Sequence, residues 1–198
     1  MFPDKSRFAL LTLGLLATLS IGCGPAVHNI TVRSAASIAP ATGSATIVVI
    51  QPTTRYGSVS LLDARGSLVG MIHDRSSTVV RVPPGEVRLY AIVERQASWG
   101  DRIEGVVEAG HVYYATLGMR WGGVSFLALN PRSRDDRWSH LPDYVDHSPL
   151  VEMSADGIPE ATRELGDTGP LLSTIDRYAD GLDDEHHEEH VIRPEDGQ

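Results

Sequence analysis

His186-His187-Glu188-Glu189-His190 is the densest run of metal-ligating residue types in the chain. On a helix His186 and His190, four apart, share one face, as two zinc ligands must. Read as His186-x-x-Glu189-His190, the string matches the inverted zinc-protease pattern. Zinc hydrolysis also needs a third protein ligand and a shaped, dry cleft. This run lies instead in a tail with nine acidic and two basic residues between Asp176 and Gln198. Such a tail repels itself and has little apolar surface to order it. The string is therefore read as a solvated helix end. Weak metal binding through His186 and His190, or a metal-dependent hydrolase built on them, are the alternatives. The tail is expected to be frayed, and its loss to cost little stability.

Other reactive residue types form no familiar constellation. Ser139-His140 and Asp146-His147-Ser148 are neighbours in sequence, which does not make a triad, and no Gly-x-Ser-x-Gly elbow occurs. These are read as loop polars. Trp99-Gly100-Asp101 and Trp121-Gly122-Gly123 place two tryptophans beside glycine turns. Aromatics line glycan and peptide sites, so Trp99 and Trp121 are a candidate ligand surface. Closing the ends of a sandwich is the alternative role for them. No catalytic residue and no cofactor is assigned, and the chain is expected not to be an enzyme.

Cys23 is the single cysteine. It follows Lys5, Arg7, the uncharged run from Phe8 to Ile21, and Leu19-Ser20-Ile21-Gly22. This resembles a lipobox, the signal read by the lipoprotein signal peptidase. The run is shorter than the roughly 20 apolar residues of a spanning helix, and it lacks the Ala-x-Ala-like site of an ordinary secretory signal. Residues 1–22 are thus expected to be removed, leaving Cys23 acylated as the membrane anchor, since two or more chains give stable attachment. Gly24 stands where an aspartate would resemble an inner-membrane retention signal. The expected location is the outer membrane, facing the periplasm.

Composition narrows the function further. Residues 1–22 contain Asp4, Lys5 and Arg7, so the chain's 17 basic and 26 acidic residues fall to 15 and 25, a net charge of −10. That balance argues against nucleic-acid binding, which basic patches carry. With Cys23 acylated, disulfides and thiolate chemistry are excluded.

The elements that must position any site read as β-structure. Residues 23–44, rich in Ala, Ser, Thr, Pro and Gly, are expected to be a flexible tether. From Ala45 the texture changes: Ile47-Val48-Val49-Ile50, Val59–Leu62, Leu68–Ile72, Thr78–Val82, Glu86–Arg95, Ile103–Glu108, His111–Arg120 and Val124–Leu129 are short β-branched or alternating runs. Val82-Pro83-Pro84-Gly85-Glu86 predicts a turn with positive φ at Gly85. Ala109-Gly110 predicts a hairpin joining its flanking runs. Together these predict an antiparallel β-sandwich of about seven or eight strands over residues 45–130. Residues 131–198 are expected to form a mixed extension. Pro142, Pro149 and Pro159 interrupt it. Leu171, Ile175, Tyr178, Ala179 and Leu182 predict an amphipathic helix near 170–190, leading into the acidic tail.

Residues 45–117 resemble a bacterial lipoprotein domain family of unknown function, PEGA-like in appearance. The likeness rests on Ile47–Ile50, the strands around Arg65-Gly66 with Val69-Gly70-Met71-Ile72, Val82-Pro83-Pro84-Gly85-Glu86, and Val107-Glu108-Ala109-Gly110-His111-Val112-Tyr113-Tyr114. It implies a β-sandwich on a membrane anchor and brings no activity with it. The expected role is a lipid-anchored, non-catalytic structural or interaction module, with the membrane and an envelope or cell-wall component as partners. A glycan- or peptide-binding lipoprotein using Trp99 and Trp121 is the alternative.

Overall fold

The computed structural model describes residues 30–33, 38–54, 57–93, 100–120, 123–131, 136–153 and 157–198. The strands are β1 (Ile30–Arg33), β2 (Ala45–Gln51), β3 (Ser58–Asp63), β4 (Leu68–His73), β5 (Ser76–Val82), β6 (Gly85–Val93), β7 (Gly100–Val107), β8 (Val112–Arg120), β9 (Gly123–Leu129), β10 (Leu150–Met153) and β11 (Val191–Ile192). The helices are α1 (Leu141–His147), α2 (Gly157–Leu165), α3 (Gly169–Ala179) and α4 (Asp184–Glu188). The molecule is mainly β. One sheet runs β1-β10-β5-β2-β8-β9 and the other β11-β7-β6-β3-β4.

The two sheets face each other across a core that includes Ile47, Val49, Val59, Leu61, Leu89, Ile103, Tyr113, Leu117 and Phe126. Outer faces are covered too. Val48 and Ile50 pack with Leu141, and Trp138 and Tyr144 lie against them. Leu62, Met71, Tyr90 and Ile92 pack against Ala161, Leu172 and Ile175 of α2 and α3. This double burial explains why Ile47-Val48-Val49-Ile50 is apolar without alternation, as in strands buried on both faces. Among the described residues no helix is long and apolar enough to cross a membrane.

Several expectations are corrected. The sheets are mixed, because β2 runs parallel to β8, β10 to β5 and β11 to β7. Ala109-Gly110 does not close a hairpin: β7 and β8 lie in different sheets, and Glu108–His111 carries the chain between them. Gly110 has φ +79 and Gly85 φ +117, so both glycines serve turns as their sequence suggested. The stretch expected as tether contains β1, which pairs antiparallel with β10 from Ile30↔Met153 to Arg33↔Leu150. Ile38 is half-buried against the outer face of the first sheet.

Beyond residue 130, β10 joins one sheet and β11 the other. Pro142 and Pro170 fall in the first turns of α1 and α3, where a missing N–H costs nothing. The single helix expected near 170–190 is two, α3 ending at Ala179 and α4 spanning Asp184–Glu188. The buried stripe of α3 is Leu172, Ile175 and Ala179, while Tyr178 is 59% exposed.

The expectation of a frayed tail fails in the same region. Val191 and Ile192 pair with Glu104 and Gly105. His190, Ile192 and Asp196 are buried. The Gln198 backbone exchanges hydrogen bonds with Val112 at 2.9 and 3.0 Å. Ile192 supplies apolar burial, and four backbone carbonyls and amides find sheet partners, which together offset the ordering of an acidic segment.

Candidate functional site

β7 brings the most unusual side chains together. Successive strand residues point to opposite faces, so Asp101 and Arg102 diverge, and both are buried at 3% exposure. Arg102 meets α3. Its guanidinium lies 2.5 Å from Asp176, 2.6 Å from Asp180 and 3.2 Å from Glu104. Tyr90 donates its hydroxyl to Asp176 at 2.8 Å, and Arg88 pairs with Glu104 at 2.8 Å. Burial pushes the Asp176 carboxyl up, but hydrogen bonds from Arg102 and Tyr90 outweigh it and hold the group below its ordinary range. Burial raises the Tyr90 phenol, and its bond to Asp176 raises it further. For Arg102 burial works against the charge, while Asp176 and Asp180 more than restore it.

Asp101 closes the opposite face. One carboxylate oxygen accepts the Arg102 N–H at 2.8 Å; the other accepts the Phe126 N–H at 2.8 Å, tying β7 to β9 across the corner of the sandwich. The second oxygen also lies 3.5 Å from His190 Nδ1. That nitrogen is 2.9 Å from the Arg102 carbonyl, which only accepts, so Nδ1 carries the proton. The main chain beside His190 clasps both sheets: Glu104 N–H donates to the His190 carbonyl at 3.0 Å, and Ala128 N–H to the Glu189 carbonyl at 2.9 Å.

A histidine beside a buried aspartate has the composition of a general-base pair. Here its geometry is that of a bracket. Asp101 holds two main-chain amides, His190 Nδ1 holds a carbonyl, and His190 Nε2 is buried without a hydrogen-bond partner. The ring itself is buried, at 3% exposure for the residue.

Gly105 is what lets the clasp seat. Its φ is +151, and a Cβ there would overlap the Ile192 carbonyl. Gly105→Ala is expected to destabilise the protein by about 2 kcal/mol, through backbone strain and displacement of β11. Urea denaturation checks it; an unchanged midpoint would mean that β11 contributes nothing.

The residues singled out from sequence distribute as follows. His186 and His190 do not share a helix face, because α4 ends at Glu188 and the His190 ring enters the β7 corner. The His186 ring is 2.6 Å from Asp183, the residue that also caps α4. Among the described residues no group of three or more His, Cys, Asp or Glu is arranged to hold a metal ion. Cys23, Trp99 and Trp121 lie outside the described residues. His140 and His147 make local contacts, with Asp136 and the Asp143 carbonyl. Ser58 bonds His73 at 2.9 Å through Nδ1, with Nε2 turned into the protein, the reverse of a nucleophile–base arrangement.

Sequence reasoning missed Asp101, Arg102 and Tyr90. The available signal was two adjacent opposite charges opening a strand-like run, which is uncommon on a face meant for burial. Compared with known proteins, the chain matches no family model, no curated protein and no solved structure.

Proposed function

We propose that this chain is a lipid-anchored envelope lipoprotein whose two-sheet domain acts as a non-catalytic structural or interaction module at the periplasmic face of the outer membrane. The observation that carries the reading is Cys23 directly behind Leu19-Ser20-Ile21-Gly22 and a charged-then-apolar leader. The PEGA-like pattern over residues 45–117 accords with it. So does the state of the polar clusters: Asp101, Arg102, His190 and Asp176 are engaged in holding strands and helix together. A module of this kind meets partners through loops and strand edges.

The test is acylation. In a host with the lipoprotein pathway, the purified protein is expected to carry its acyl chains on Cys23, to partition into detergent, and to lack residues 1–22. Cys23→Ala is expected to abolish the lipid mass and the membrane association together. A wild-type protein with an unmodified Cys23 thiol overturns the reading.

A further inference from the structure

We propose that β1 acts as a leash stop: by pairing with β10 it holds the sandwich close to the membrane and turns one chosen pole toward it. The inference rests on the anchor reading above. Seven residue steps separate Cys23 from Ile30, where sheet pairing begins. Whatever path they take, they span at most about 25 Å. The tether expected from composition ran to residue 44 and would reach about three times as far. A second tie-down follows at Ile38, half-buried on the outer face of the first sheet.

Register decides which pole is near. Ile30 pairs with Met153, and β10 runs parallel to β5 with Leu150 opposite Ser77. Ile30 therefore lies toward the Val82 end of β5. Ala45 is opposite Val82, and Thr46 is opposite Val112, so the starts of β2 and β8 share that end. Gly85 is opposite Val107 in the second sheet. The pole nearest the anchor is thus built from the turns at Pro83–Gly85 and Glu108–His111. The far pole carries Thr53, Gly57 and the Asp74–Arg75 turn, the last bonded to Gln51 through Asp74. β8 is nine residues long, so the poles lie about 30 Å apart. A leash shorter than that separation, joined near one pole, keeps that pole closer to the membrane on average than the other.

Charge does not create this orientation. Glu86 and Glu108 are exposed at the near pole, with Arg81 close by. Such a mixed, partly acidic surface is not one that adsorbs to lipid headgroups. The tie is covalent, so proximity is expected to be independent of salt. The partners within reach are proteins embedded in, or lying on, the same membrane.

The experiment uses the full acylated chain in phosphatidylcholine vesicles containing acceptor-labelled headgroups. With Cys23 acylated, a thiol introduced by Ala109→Cys or by Thr53→Cys, both exposed positions, takes the donor dye alone. Energy transfer is expected to be at least about twofold greater from position 109 than from 53, unchanged in high salt. Inserting about twenty Gly/Ser residues after Gly24, which adds about 25 Å of reach, is expected to lower both signals and level them. Equal transfer from the two positions, or no response to the insertion, in protein that floats with the vesicles overturns the leash and leaves the anchor standing. Protein that does not float and has an unmodified Cys23 overturns both.

Discussion

Deleting residues 184–198 is expected to cost about 5 kcal/mol, enough to unfold a domain of ordinary stability. Two opposing effects set the balance. The segment is acidic, with Asp184, Glu188 and Glu195 exposed, and like charges repel even though Glu188 pairs with Arg193. At the surface such repulsion amounts to about 1 kcal/mol or less. Against it stands Ile192, 2% exposed between Gly105 and the core. Removing a buried isoleucine of this kind costs about 2–5 kcal/mol. The clasp hydrogen bonds from Glu104, Ala128 and Val112 each add about 1 kcal/mol. Burial wins. Urea denaturation of full-length and truncated chains, followed by circular dichroism, reads the difference. A truncated protein with an unchanged midpoint would restore the frayed tail expected from composition.

Arg102→Met is expected to cost about 3 kcal/mol, large for a change at a charged side chain. The substitution keeps the apolar stem and removes the cation that Asp176, Asp180 and Glu104 surround. The value belongs at the low end for a buried pair because Asp176 and Asp180 are partly in solvent and can rehydrate. The pH dependence separates lost charge pairing from lost packing. The Asp176 carboxyl is depressed in the folded state. Its contribution is therefore fully present above the unfolded carboxylate value near 4, and disappears as pH falls through the lower folded value. The stability gap between wild type and Arg102→Met is expected to narrow as pH falls below about 4. A gap that stays constant down to pH 2 would assign the effect to packing alone.

The strands of both sheets were largely legible because their residues obey local rules. Val87, Leu89, Ala91 and Val93 alternate along β6, and the β-branched residues of β2 and β5 fit a pleated surface. Partnership was not legible. Whether β8 pairs with β7 or with β2 depends on which sheet closes around Tyr113 and Leu117, a fact of the assembled core. β10 and β11 are four and two residues long, too short to show a period. The Asp101–Arg102 pair escaped notice for a related reason. Its polarity is tolerable only because α3 and the His190 segment arrive from at least 74 residues away in the chain. The histidine string misled because spacing on an imagined helix assigned one face to residues that the end of α4 separates.

The pairing of Ile30 with Met153, and of Gly105 with Ile192, has a consequence for the order of events in the cell. Synthesis proceeds from the N-terminus. A nascent chain that has emerged only to residue 149 has no partner for β1, and one that stops short of 192 leaves the β7 edge open. Both sheets are thus completed by late residues, and high sequence separation slows closure further. The domain cannot reach its native state before residue 192 has emerged. Until then two strand edges, that of β7 and that of β5, stand without their last partners, and the sandwich is held by its inner strands alone.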